Sequence, residues 1–229
     1  MTKKTLQLIA TVALAAGFGF TTVTANAATD GTDNQTTTAT VGLTAGDGGS
    51  GAHSGSIKLV AAPDMVFGPD TGTAITGAAQ TITASSLTTS ATSSNESATG
   101  ADKVTVGAGD VAVVNAGSED PWTVTVKADN FVKDGDTSTT LLGAKINFAG
   151  AVATNNDDVT AKAAVAAAPS ITAGGDGATV LSATAGNGIG TWMNRLTKDT
   201  NLSIAGGNSA GTYKSNLTWT IADTASTQA

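Results

Sequence analysis

Along Trp122-Thr123-Val124-Thr125-Val126, large apolar and hydroxyl side chains alternate without a break. A period of two puts Trp122, Val124 and Val126 on one side of an extended ribbon and the two threonines on the other, a pattern no helix satisfies. Leu217-Thr218-Trp219-Thr220-Ile221 repeats the pattern far along the chain. Ribbons with one greasy face must bury it against another layer. The rest of the chain supports that reading. Short apolar runs are separated by turn residues, 28 of the 229 residues are glycine, and threonine, which favours strands, is abundant. The expected class is all-β, a β-sandwich-like single domain with long loops.

Further strands are expected at Ser56–Val60, Val111–Val113, Leu141–Phe148, Val180–Ser182, Leu202–Ile204 and Tyr213–Ile221. Val104-Thr105-Val106 also alternates. Met65-Val66-Phe67 reads as a short extended piece ending at the Gly68-Pro69 turn. Ile75–Ser97 is rich in Thr, Ser and Ala and reads as a loop or peripheral strands. Thr154–Ala167 fits two descriptions: Asn155-Asn156-Asp157-Asp158 could cap one short Ala-rich helix, while Val and Thr there also permit a strand. Asn187-Gly188-Ile189-Gly190 is turn-like and leads to Trp192. No Pro-rich linker divides residues 56–229, which are assigned to one domain. Residues 28–55 form a Thr/Gly-rich leader in which Gly46–Gly51 has no apolar area to bury, and Thr36–Leu43 could add an edge strand.

Residues 1–27 read as a secretory signal peptide. Lys3 and Lys4 precede an uncharged, largely apolar stretch from Leu6 to Phe20, and Ala25-Asn26-Ala27 is a small-x-small cleavage site. Removing them discards two lysines and no acid, which takes the formal charge from -7 to -9. Such a chain repels nucleic acid, whose phosphates need clustered Lys and Arg. No later segment reads as a membrane span, and no Leu-Pro-x-Thr-Gly sorting signal follows, so attachment at a cell surface has to be non-covalent. The absence of cysteine excludes disulfides, thiolate nucleophiles and Cys-ligated metals. The single histidine, His53, lies in the leader without an ordered partner. Glu96 and Glu119 are the only glutamates, and neither a Gly-x-Ser-x-Gly elbow nor a phosphate-cradling Gly-rich loop occurs. The expectation is a non-catalytic protein with no cofactor and no resident metal.

The two tryptophan ribbons, Pro121-Trp122-Thr123-Val124 and Thr218-Trp219-Thr220-Ile221, resemble the paired Trp-x-Leu motifs of the WxL domain of low-GC Gram-positive bacteria, with Val124 and Ile221 standing where that family carries Leu. Flanking segments are similar too: Leu142-Gly143-Ala144-Lys145-Ile146, Val180-Leu181-Ser182-Ala183 followed by Gly188-Ile189-Gly190, and Gly211-Thr212-Tyr213 ahead of Leu217–Asp223. The resemblance runs from about Gly55 to Asp223. Two departures accompany it: Gly117-Ser118-Glu119-Asp120 lacks the basic residue usual before the first motif, and Asp223-Thr224-Ala225 lacks the usual proline after the last strand. What the resemblance implies is display on the cell surface by non-covalent binding to the cell wall, with peptidoglycan as ligand. It also implies other WxL proteins and a membrane-anchored WxL-interacting protein as companions.

Trp122, Val124, Trp219 and Ile221 are the motif residues, structural or ligand-binding. Because each indole shares its face with aliphatic side chains, a core role is favoured over stacking on wall sugars. Trp192, in a turn-flanked stretch, is expected to be the most exposed of the three tryptophans and is a candidate ligand contact. Arg195, Tyr213 and Lys214 are candidate polar contacts, weighed against ordinary surface decoration. Asp134-Gly135-Asp136 and Asn155–Asp158 offer hard oxygen ligands for calcium, weighed against plain turns built by Asp and Asn side chains. The functional expectation is a wall-attached surface protein. Its rivals are a subunit docking a companion by strand addition and a secreted adhesin for host or environmental matrix.

Overall fold

A computed structural model of the chain describes residues 57–91, 104–155 and 163–223. In chain order they form β1 (Ile57–Phe67), β2 (Gln80–Ala91), β3 (Asp110–Asn115), β4 (Trp122–Ala128) and β5 (Val132–Lys133). There follow β6 (Asp136–Thr140), β7 (Lys145–Asn147), β8 (Ala153–Asn155), β9 (Val165–Ala166) and β10 (Ser170–Thr172). The last five are β11 (Ala178–Ala183), β12 (Gly190–Arg195), β13 (Asn201–Ile204), β14 (Tyr213–Lys214) and β15 (Leu217–Asp223). No helix occurs among the described residues. Where a short helix competed with a strand, the chain forms β8 and β9, and residues 156–162 between them lie outside the described residues. The leader, with its Thr36–Leu43 candidate strand, also lies outside them.

Eight strands make one sheet in the order β10-β7-β13-β2-β1-β3-β12-β8, and four make a second in the order β15-β4-β11-β9. A three-stranded sheet, β14-β5-β6, stands beside them. All pairings are antiparallel. A single buried cluster draws on both larger sheets: Val111, Val113, Ile146, Trp192 and Leu202 from the first, and Trp122, Val124, Val126, Val180 and Ile221 from the second. Two sheets joined through one such cluster are a sandwich. Val60, Ala61, Ala112 and Met193 form another buried cluster, on the opposite side of the large sheet from Val113 and Trp192. Val104 and Val106 pack on it. The alternating Val104-Thr105-Val106 is therefore no strand but a cover over that outer face.

Several expected strands differ in extent. Leu141–Phe148 yields only β7, because Gly143 turns the chain at φ 65°, and a Cβ there would lie 2.8 Å from the Ala205 Cβ. Ile75–Ser97 is not peripheral. It contains β2, which lies between β13 and β1 inside the large sheet. Met65–Phe67 is the far end of β1 rather than a separate piece. Tyr213–Ile221 splits into β14 and β15, which join different sheets. Asp129 N–H donates to the Asn216 carbonyl at 3.0 Å and Ser215 Oγ donates to the Asp129 carbonyl at 2.7 Å, pinning the break.

Candidate functional site

The two motif ribbons are hydrogen-bonded neighbours. Trp219 of β15 stands opposite Val126 of β4, Ile221 opposite Val124, and Asp223 opposite Trp122. Residues directly opposite in an antiparallel pair share a face. Trp122, Val124, Val126, Trp219 and Ile221 thus line the same side of the sheet, the side turned to the core. Trp122 is 1% exposed, and its indole N–H meets no acceptor. A Cβ on Gly188, which sits at φ +70°, would come within 2.9 Å of that N–H, so only glycine lets the Asn187–Gly190 turn close over the ring. Trp219 is half-buried on the edge strand β15 and meets Phe148 edge-on, ring centroids 6.1 Å apart at 61°. Trp122 is thus enclosed in the core, whereas Trp219 packs against its edge.

Trp192 departs from expectation. It is 2% exposed on β12, and its N–H donates to the Ile189 carbonyl at 2.9 Å. It offers no surface for a ligand, because β12 is covered on both faces. Trp192 faces the main cluster, while its neighbour Met193 fills the outer one.

Arg195 lies across the strand pair from Asp110. Its Nε and Nη2 donate to the two carboxylate oxygens at 2.7 and 2.9 Å, and Gly107 N–H donates to the same carboxylate at 2.6 Å. The bond to that carboxylate holds the guanidinium pKa above its ordinary value. The Asp110 side chain has no exposed surface, so Arg195 is committed to a buried partner and is not a free cation for a wall anion. Lys214 pairs with Asp134 at 3.0 Å in full solvent, a contact of little energetic weight.

Tyr213 and Lys214 meet at a groove of about 990 Å³. Its floor is apolar, with Phe67, Ile82, Phe131, Leu141, Leu202 and Ile204. One wall is the β1–β2 loop from Pro69 to Ile75, and the other runs from Asn208 to Ser215. Both walls are held by their own side chains. Gln80 donates to the Ala74 carbonyl at 3.0 Å and accepts from Thr76 N–H at 3.3 Å. Asn208 accepts from Leu142 N–H at 2.7 Å and donates to the Ala205 carbonyl at 2.9 Å. The Tyr213 hydroxyl donates to the Ser209 carbonyl at 2.9 Å. Sequence reasoning found Tyr213 and Lys214 but missed the opposite wall, of which only the Gly68-Pro69 turn was read. Val66 and Ile75, aliphatic side chains at the rim, stay 51% and 39% exposed.

Residues 29–225 match the family described as WxL domain, surface cell wall-binding. The chain belongs to the WxL family. No curated protein and no solved structure matches it. The family match covers the Trp122 and Trp219 ribbons, both sandwich sheets and the groove, and it extends into the stretch read as a leader. In this WxL chain Trp122 lies in the core and Trp219 packs half-buried against it.

No cluster of three or more potential metal-ligating residues occurs among the described residues of the WxL chain, and no helix there is long and apolar enough to cross a membrane. Asp136 shows what the Asp134-Gly135-Asp136 stretch does instead. Its carboxylate accepts from Ser138 Oγ and Thr139 Oγ1, each at 2.6 Å, and from Ser138 N–H at 3.0 Å, all within the first residues of β6. Those bonds lower its pKa from 3.8 to about 2. A depressed carboxylate contributes stability above pH 3.8 and loses it as pH falls through about 2. In an NMR titration the Asp136 carboxyl is expected to protonate near pH 2, and Ser138→Ala to move that midpoint upward. A wild-type midpoint near 3.8 would contradict the Asp136 hydrogen bonds. The second calcium candidate, Asn155–Asp158, has only Asn155 among the described residues.

Proposed function

We propose that the protein is exported by residues 1–27 and held on the cell surface by non-covalent attachment to peptidoglycan, without catalysis. The observation that carries this is the match of residues 29–225 to a surface cell wall-binding family. The structure adds a constraint. Trp122 and Trp192 are buried and Arg195 is bonded to Asp110, whereas Tyr213 and Lys214 line an open groove, which supports these two as wall contacts.

A second reading, docking of a companion protein, is favoured by one feature. Among the described residues β15 is the edge of its sheet, hydrogen-bonded only to β4, and an open edge accepts an added strand. Sedimentation with purified walls separates the two. The exported protein is expected to pellet equally with native walls and with protease-stripped, protein-free peptidoglycan. Loss of pelleting on the stripped walls would overturn peptidoglycan as ligand in favour of a protein companion.

A further inference from the structure

We propose that the groove between the Pro69–Ile75 loop and the Asn208–Ser215 segment is the ligand site, and that it takes a neutral chain of N-acetylated amino sugars. This rests on the wall-attachment reading for the origin of the ligand, while the site itself is argued from the groove. Its volume, about 990 Å³, lies in the range of small-ligand clefts. Both walls are fixed by internal hydrogen bonds through Gln80, Asn208 and Tyr213, so a ligand meets a preformed surface and little ordering opposes binding. The surface alternates apolar and hydroxyl groups. Val66 and Ile75 are exposed at the rim, and Thr71 and Thr73 line the groove beside them. An amino-sugar chain has the complementary pattern: apolar ring faces and acetyl methyls between hydroxyl and amide groups. Charge decides against the anionic polymers of a wall. The chain carries a formal -7, the lysine lining the groove is paired with Asp134, and Asp70 lines the groove as well.

The test uses a β-1,4-linked N-acetylglucosamine tetramer as probe, with polyglycerol phosphate as the anionic alternative and protein-free peptidoglycan as the full ligand. The tetramer is expected to shift amide resonances of the two walls, and polyglycerol phosphate to leave them unmoved. Val66→Arg and Ile75→Arg each place a long charged side chain at the rim from an exposed position, so the melting temperature should hold while tetramer affinity falls at least tenfold. Val152→Arg, also exposed but away from the groove, should bind as the wild type does. Shifts confined to other regions, rim variants that bind normally, or a preference for polyglycerol phosphate would each overturn the groove assignment. If peptidoglycan still pellets the protein in those cases, attachment stands with its site elsewhere. If peptidoglycan no longer pellets it, both readings fall.

Discussion

Trp122→Ala is expected to destabilise the protein by about 3–5 kcal/mol, the usual cost of emptying a large aromatic site in a packed core. In a chain of this size that lowers the melting temperature by roughly 10 °C. The ring is sealed between Ala183 and the Gly188 turn, and its strand lies in the middle of the four-stranded sheet, so neighbours have little freedom to collapse into the space. Trp122→Phe should cost much less. It keeps most of the apolar volume and removes an indole N–H that has no acceptor, which is itself a burden on the folded state. Trp219→Ala should fall between the two, because Trp219 is half-buried on an edge strand and loses mainly its contact with Phe148. Thermal melts of the three variants check the order. A Trp122→Ala protein that melts like the wild type but no longer binds peptidoglycan would show that the indole is a contact and not core.

The same geometry explains which parts of the fold were legible from residues alone. β4 and β15 could be read because each buries one face only and obeys a strict period of two. β2 could not. Its buried residues Ala84 and Leu87 are three apart, because the register with β1 slips by one residue around Ser85. A bulge of that kind reverses the inward parity partway along a strand, so the alternation cancels over a longer window. β11 hides its face similarly, with Val180 and Leu181 both buried beside a register shift. Trp192-Met193-Asn194 defeated the reading for another reason. All three are buried, since a strand covered on both faces shows no polar side. Asn194 is kept there because its amide donates to the Ala167 and Val180 carbonyls at 2.9 and 2.8 Å, linking β12 to β11 across the sandwich. Of the candidate site, Tyr213 and Lys214 could be named because aromatic and basic residues are scarce in this sequence. The facing wall, Pro69–Ile75, carries no aromatic or basic residue, and nothing local reports that the chain folds back beside Tyr213.

The Arg195–Asp110 pair gives the second large effect, and it tests whether Arg195 serves the fold or the wall. Arg195→Met removes two of the three hydrogen bonds to a carboxylate that has no exposed surface. Breaking a fully buried pair in this way costs about 3–5 kcal/mol. Here the Arg195 side chain is 58% exposed, so water already screens one partner and can reach the carboxylate once the guanidinium is gone, and about 2 kcal/mol is expected instead. Asp110→Asn should cost a similar amount, because its amide keeps the shape but not the charge that Arg195 and Gly107 N–H address. The two together should cost less than their sum, with a coupling of roughly 1–2 kcal/mol in urea unfolding. Strict additivity would mean that the two side chains do not interact in solution. The pair joins β3 to β12 at the start of β3, away from the groove, so the folded fraction of each variant should pellet with peptidoglycan as the wild type does. An Arg195→Met protein that stays fully folded yet leaves the pellet would place the guanidinium at the wall after all.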